Sequence, residues 1–130
     1  MKRGYKALLD EANAAIEAVS PAEASQLAGD DDVVLVDLRD IRELQREGRV
    51  PGAIHAPRGM LEFWVDPESP YHREMFAEDK RLVFYCASAW RSALATDTLQ
   101  QMGMENICHL SGGFSAWKEA EKPIEAVEKK

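Results

Sequence analysis

The sequence predicts an α/β fold in which helices pack against a parallel sheet, and two observations carry that expectation. Val33-Val34-Leu35-Val36 and Leu82-Val83-Phe84-Tyr85 are unbroken apolar runs rich in β-branched and aromatic residues, the pattern of strands buried on both faces. Elsewhere apolar residues recur at helical spacing, and strands separated by helices imply βαβ units.

The elements follow in chain order. From Tyr5 to Ala18, residues Ala7, Leu8, Ala12, Ala15 and Ile16 keep helical spacing among charged neighbours, which predicts an amphipathic helix. A second helix starts at Ser20-Pro21: Ser20 caps the orphan amides, Pro21 takes the first helical position, and Glu23 completes a capping box. Gly29 ends it. The strand Val33 to Val36 follows an acidic turn, and Leu82 to Tyr85 forms the next clear strand. A third, Ile107-Cys108-His109-Leu110, leads through Ser111-Gly112-Gly113 into a helical pattern from Phe114 to Ala120. The stretch from Gly59 to His72 is longer and more aromatic than a plain connection needs. Met60, Leu61 and Trp64 there keep helical spacing, which fits a stripe facing the core or a wall of a site, and a lid or docking surface stays open.

Composition excludes several classes. A chain of 130 residues, 45% hydrophobic and 30% charged, suits one domain with its own core, and no apolar run approaches the roughly 18 residues that span a bilayer. Asp10, Glu11 and Glu17 interrupt what a secretory segment would keep apolar. Two cysteines, Cys86 and Cys108, suggest no disulfide framework, so the cytoplasm is the expected compartment. A formal net charge of -7 argues against nucleic-acid binding. An anionic substrate must therefore meet a local positive site.

The chemical centre is Tyr85-Cys86-Ala87-Ser88-Ala89-Trp90-Arg91-Ser92. Here a strand stops at a cysteine and a helix begins about five residues later. Ligands of open α/β sheets bind beyond the carboxyl ends of the strands, and a tight loop into a helix N-terminus turns backbone N–H groups inward. Amides and a helix dipole around the Cys86 sulfur favour thiolate over thiol, and thiolate is the nucleophile. Arg91 adds positive charge. A buried core cysteine is the plainer alternative, but it rarely sits between a strand end and an arginine-bearing helix start.

Four segments in order resemble the rhodanese family. Val36-Asp37-Leu38-Arg39 is similar to its Asp-x-Arg strand end, and Gly48-Arg49-Val50-Pro51-Gly52-Ala53-Ile54-His55 to its Gly-His-Ile-Pro-Gly-Ala segment, with Arg49 in place of the usual histidine. Cys86 to Ser92 resembles the Cys-x-x-Gly-x-Arg-Ser loop, with Ala89 where glycine is usual. The fourth is Leu110-Ser111-Gly112-Gly113-Phe114-Ser115-Ala116-Trp117. Any one match is weak, and the ordered set is specific.

The resemblance implies a three-layer α/β/α domain with a central parallel five-stranded sheet over residues 20–125, preceded by a helical extension over 1–19 and followed by a charged tail over 126–130. It implies a sulfurtransferase that carries sulfur as a persulfide on Cys86. A donor such as thiosulfate would load the cysteine, and cyanide or a thiol would unload it; a sulfur-relay protein could also serve as a partner. No metal or cofactor is called for, nor a membrane or nucleic acid. Ala87, Ser88, Ala89, Trp90 and Arg91 are the expected binding loop, with Trp90 walling the pocket or meeting a partner. Arg58 either attracts a sulfonate or is a solvated surface arginine. Asp37, Arg39 and Ser92 are expected to support the site. Asp37 would bond the loop or pair with Arg91, and Arg39 would pair with Glu43 as a surface contact.

His55 is expected to be structural, because an ionised thiol needs no base. His72 and His109 lack metal-ligand spacing with either cysteine, and Cys108 reads as a small buried hydrophobe. If Ala89 occupies a left-handed position it is strained. Two rival functions remain. A binding module without catalysis usually lacks the cysteine, which is present here. Related phosphatases and arsenate reductases place one more residue between cysteine and arginine than the four that separate Cys86 from Arg91.

Overall fold

A computed structural model describes residues 1–129; Lys130, the end of the expected charged tail, lies outside the described residues. Five parallel strands form one sheet in the order β1-β5-β4-β2-β3. They are β1 (Ala18–Val19), β2 (Val33–Asp37), β3 (Ile54–His55), β4 (Arg81–Tyr85) and β5 (Ile107–Leu110). The helices are α1 (Tyr5–Ala15), α2 (Pro21–Leu27), α3 (Ile41–Glu47), α4 (Leu61–Val65), α5 (Trp90–Gln101) and α6 (Gly113–Glu119), with 3₁₀ turns at Arg58–Met60 and Glu74–Ala77. No helix among the described residues is long and apolar enough to cross a membrane.

The three central strands coincide with the three apolar runs because each is covered on both faces. Val83 and Tyr85 join one core with Leu35, Cys108, Leu110, Phe114 and Trp117. Leu82 and Phe84 join another with Val36, Leu61, Ala95, Leu99 and Ile107. Alternate residues of one strand thus enter opposite cores, as the pleat demands. The Ser20–Glu23 capping box forms as expected, and Asp40 and Glu43 make a second one at the start of α3.

The beginning of the chain departs from the sequence expectation. The first helix ends at Ala15 rather than Ala18, and Ala18–Val19 becomes an edge strand paired with His109 and Leu110. Two residues are too few to display a period of two. The 59–72 stretch holds α4, which buries Leu61 and Val65 in the core while Trp64 receives the Arg73 guanidinium over its ring at 3.8 Å. Leu61 and Trp64 pack into the core, so burial explains their spacing, while Met60 is half-buried outside that cluster.

The carboxyl end of β2, which pairs with that of β4, carries a buried ion pair. Asp37 and Arg39 are both 0% exposed. Arg39 Nε donates to Asp37 Oδ1 at 3.0 Å and its NH2 to Oδ2 at 2.8 Å and to the Gly48 carbonyl at 2.7 Å. The guanidinium lies 4.2 Å from the Phe114 ring centre. Burial opposes its charge, yet the bond to Asp37 and its field outweigh that and hold the pKa above the ordinary arginine value. The expected surface pair of Arg39 with Glu43 is therefore corrected: Arg39 is in the core and its partner is Asp37.

Replacing Arg39 by Met strands a buried carboxylate and is expected to cost about 3–5 kcal/mol in urea unfolding. Asp37→Leu combined with Arg39→Met removes both charges and should recover part of the loss. A single-variant loss below about 1 kcal/mol would place the pair with ordinary surface contacts.

Candidate active site

Cys86 follows β4 directly and is 1% exposed. Three residues later Ala89 caps α5 in the left-handed region, with φ 73° and ψ 0°. The chain must turn from strand to helix within four residues, and this conformation makes the turn at a cost for any residue with a Cβ.

The loop is held from behind by α6. Phe114 N donates to the Cys86 carbonyl at 2.8 Å and Ser115 N to the Ala87 carbonyl at 3.0 Å. No cis bond occurs among the described residues, and in a trans peptide the C=O and N–H point in opposite directions. With both carbonyls turned to α6, the N–H groups of Ala87 and Ser88 turn away from it, toward the open side of the loop. Gly113 makes the approach possible. Its φ is +64°, and a Cβ there would meet the Cys86 and Ala87 carbonyl oxygens at 2.7 Å each. Gly113 therefore serves a close backbone approach, whereas a Cβ on Gly112 would meet the Ala116 methyl at 2.5 Å.

Around the sulfur, Ser92 N donates to Cys86 Sγ at 3.4 Å, and Ser92 Oγ lies 3.7 Å from it. Ser92 is fully buried, so its support of the site is direct contact with the sulfur. Behind it His109 Nδ1 lies 2.9 Å from Ser92 Oγ. Burial pushes the His109 pKa down, which favours neutral imidazole. Sequence reasoning passed over His109 because it sought metal spacing. The available signal was a polar residue inside an apolar strand, which must find a partner when buried.

Arg91 is not tied to Asp37. Its NH1 and NH2 donate to the two carboxylate oxygens of Glu43 at 2.7 and 3.0 Å. That bond chiefly raises the Arg91 pKa, with the Cys86 sulfur contributing less, and it lowers that of Glu43. Arg58 donates to Glu62 Oε1 at 2.7 Å with a part-buried side chain. Its backbone N donates to the Leu38 carbonyl at 3.2 Å, which sets it beyond the end of β2. Trp90 is 56% exposed, and its ring lies 5.1 Å from that of Tyr5 at the start of α1. His55 Nε2 meets the Arg39 carbonyl at 2.6 Å, a structural contact. Cys108 is buried in the core, and burial raises its pKa. A surface groove of about 510 Å³ lined by Val65, Phe76, Met102 and Met104 contains none of the loop residues.

Residues 20–120 match the family model described as a rhodanese-like domain. A solved structure of a protein of unknown function from Rhodopseudomonas palustris, described as a possible tyrosine phosphatase, is 54% identical, covers 96% of both chains and superposes with a TM-score of 0.93. The solution structure of the polysulfide-sulfur transferase homodimer from Wolinella succinogenes is 30% identical, covers 97% of this chain and 88% of that one, and gives a TM-score of 0.70. The thiosulfate sulfurtransferase GlpE of Glaesserella parasuis is 28% identical over 82% of this chain and 91% of its own length. The chain spans 66%, 54% and 34% of the length of longer curated relatives from Mus musculus, Synechocystis and Acinetobacter baumannii.

Two measurements test this geometry. Gly113→Ala should lose about 2–4 kcal/mol through backbone clash and left-handed strain. Ala89→Gly should gain roughly 0.5–1 kcal/mol, because relief of strain exceeds the added freedom of the unfolded chain. Denaturation curves giving the same sign for both would refute the assigned conformations. For the Arg91 pair, the folded pKa of Glu43 is depressed, so its contribution is present above the unfolded carboxylate pKa and is lost as pH falls through the lowered value. The stability difference between wild type and Glu43→Gln should therefore shrink between about pH 6 and about pH 3. A constant difference would show that the charge plays no part.

Proposed function

The chain belongs to the rhodanese-like domain family, and from that premise we propose that it is a sulfurtransferase whose carrier is a persulfide on Cys86. The observation that carries the reading is the cysteine at the end of β4 inside a loop whose carbonyls are drawn back by α6, leaving amides on its open side. The Cys86 thiolate attacks the outer sulfur of a donor such as thiosulfate. The new bond joins Sγ to that sulfur, the old sulfur–sulfur bond breaks, and sulfite leaves with the electron pair. An acceptor, cyanide or a thiol, then attacks the terminal sulfur and Cys86 returns as thiolate.

The terminal sulfur of the persulfide is anionic, and the Ala87 and Ser88 amides, with the start of α5, supply donors at fixed positions without reorganisation. Arg91 contributes less charge than its position suggests, because Glu43 neutralises it and bonds both guanidinium nitrogens nearest it. Its role in this reading is to hold α3 against the start of α5. Arg58, paired with Glu62, is a weaker lure for a sulfonate for the same reason. A polysulfide, a small-molecule persulfide or a sulfur-relay protein would present the same outer sulfur to the same thiolate, and a reducing compartment such as the cytoplasm would keep Cys86 available.

A phosphatase is the second reading, prompted by the description of the Rhodopseudomonas palustris protein. The four residues between Cys86 and Arg91 weigh against it, since the loop of related phosphatases holds one more and encloses a whole tetrahedral oxyanion.

Incubation with thiosulfate should add one sulfur atom to Cys86 by peptide mass, and cyanide should remove it as thiocyanate. Cys86→Ser should abolish turnover, by more than about 10³-fold. Hydrolysis of an aryl phosphate ester by wild type, lost in the same variant, with no added sulfur, would replace this reading by the second.

A further inference from the structure

The buried chain Cys86–Ser92–His109 is unused by the reaction as written, yet its geometry bears on the charge of the sulfur. Ser92 has one hydroxyl proton and three candidate acceptors: His109 Nδ1 at 2.9 Å, the Ala89 carbonyl at 3.3 Å and Cys86 Sγ at 3.7 Å. Its backbone is pinned, since Ser92 N donates to Sγ and Thr96 Oγ1 donates to the Ser92 carbonyl at 2.7 Å. Only the hydroxyl is free to reorient.

A neutral imidazole holds one proton and has a choice of nitrogen. With the proton on Nε2, the bare Nδ1 takes the Ser92 proton, and Ser92 presents lone pairs to the sulfur; that order suits a thiol, whose S–H donates to Oγ. With the proton on Nδ1, the imidazole donates to Oγ, and the Ser92 proton is released toward the sulfur. A thiolate attracts it more strongly than the neutral Ala89 carbonyl does. We infer that His109 is a positioning residue, whose Nδ1–H tautomer turns the Ser92 hydroxyl onto Cys86 and so stabilises the thiolate.

The chain reverses without leaving net charge on the histidine: the thiol proton passes to Ser92 Oγ, the Oγ proton to Nδ1, and the Nε2 proton is given up to solvent, so one proton is lost in all and the imidazole stays neutral. Burial, which disfavours imidazolium here, is consistent with that. Burial alone acts on His109, and the Arg91 guanidinium lies within reach of the Cys86 sulfur. His109 is set for this role by the sheet. It pairs with Phe84 in register, and Phe84 and Cys86 project to one face two residues apart. The inference rests on the proposed role of Cys86 as nucleophile, but not on any sulfur donor.

The test is the rate of Cys86 alkylation by iodoacetamide at neutral pH, followed by peptide mass so that Cys108 is counted separately. It needs thiolate only, so failure of sulfur transfer and failure of this inference are told apart. His109→Asn keeps an N–H near the Nδ1 position and should react within about threefold of wild type. His109→Gln is as polar but leaves that position empty, and should react about tenfold more slowly, the effect of one charge-assisted hydrogen bond. Ser92→Ala should be slowed similarly, and adding His109→Gln to it should slow it no further. A wild-type rate for His109→Gln, or independent multiplication of the two effects, overturns the inference. Should His109→Gln fail to fold by thermal melting, ¹⁵N shifts of the wild-type histidine decide: Nδ1 protonated once Cys86 is ionised is expected, and Nε2 protonated overturns it.

Discussion

The Asp37–Arg39 ion pair is the constraint on which the working end of the sheet depends. Asp37 stands opposite Tyr85 in register, and Leu38 N donates to the Tyr85 carbonyl at 2.8 Å, so backbone pairing joins the ends of β2 and β4 where the ion pair sits. The Arg39 guanidinium spans from Asp37 to the Gly48 carbonyl and lies over Phe114. Phe114 in turn holds the Cys86 carbonyl. One buried cation thus links the second strand, the loop after α3 and the start of α6, and the cysteine loop rests on that assembly. A buried pair contributes less to net stability than its contacts suggest, because desolvation offsets the attraction. What it supplies here is position. Among the described residues Arg39 NH1 is left without a partner, a cost the fold bears in keeping the guanidinium at this junction.

Much of this was legible in the sequence, and the reasons separate what was from what was not. The central strands were visible because burial on both faces leaves an unbroken apolar run, and α2 was visible because Ser20, Pro21 and Glu23 each satisfy a separate demand of a helix start. The edge strands β1 and β3 are two residues long and exist through their pairing partners, which no local pattern records. The ion pairs were exchanged for a related reason. Asp37, Arg39, Glu43 and Arg91 include two acids and two bases that permit two pairings, and the choice depends on which side of the sheet each side chain enters. Strand parity sends Asp37 to the same face as Tyr85, while Glu43, on α3, meets α5. The placement of Cys86 between strand and helix was legible because an apolar run ends at Tyr85 and α5 begins at Trp90.

The same exchange alters the electrostatics of the site. Arg91 and Arg58 are the cations the sequence places as candidates for binding an anion, and each is already bound to a carboxylate. A chain with net charge -7 repels anions at long range. Backbone amides and Ser92 resolve the conflict, because they act at contact distance and fall away beyond it. Under the proposed sulfurtransferase reading, such a site would hold a single anionic sulfur at contact distance and gather distant anions poorly, which would favour a donor present in quantity or delivered by a partner.

The helix at the beginning of the chain belongs to the same argument. Leu9 and Ala12 of α1 pack on Ala93 of α5, with Ile16 and Leu94 alongside, so α1 covers the helix whose first turn carries the loop. Tyr5 extends that contact to Trp90, and both rings keep about half their surface in solvent. The loop is therefore clamped on two sides: α6 holds its carbonyls, and α1 steadies the helix that closes it. Ala89 shows why the second clamp matters. An alanine in the left-handed region persists only when its surroundings over-determine it, and here the strand, α5, and the two helices packed against loop and helix leave it no alternative path.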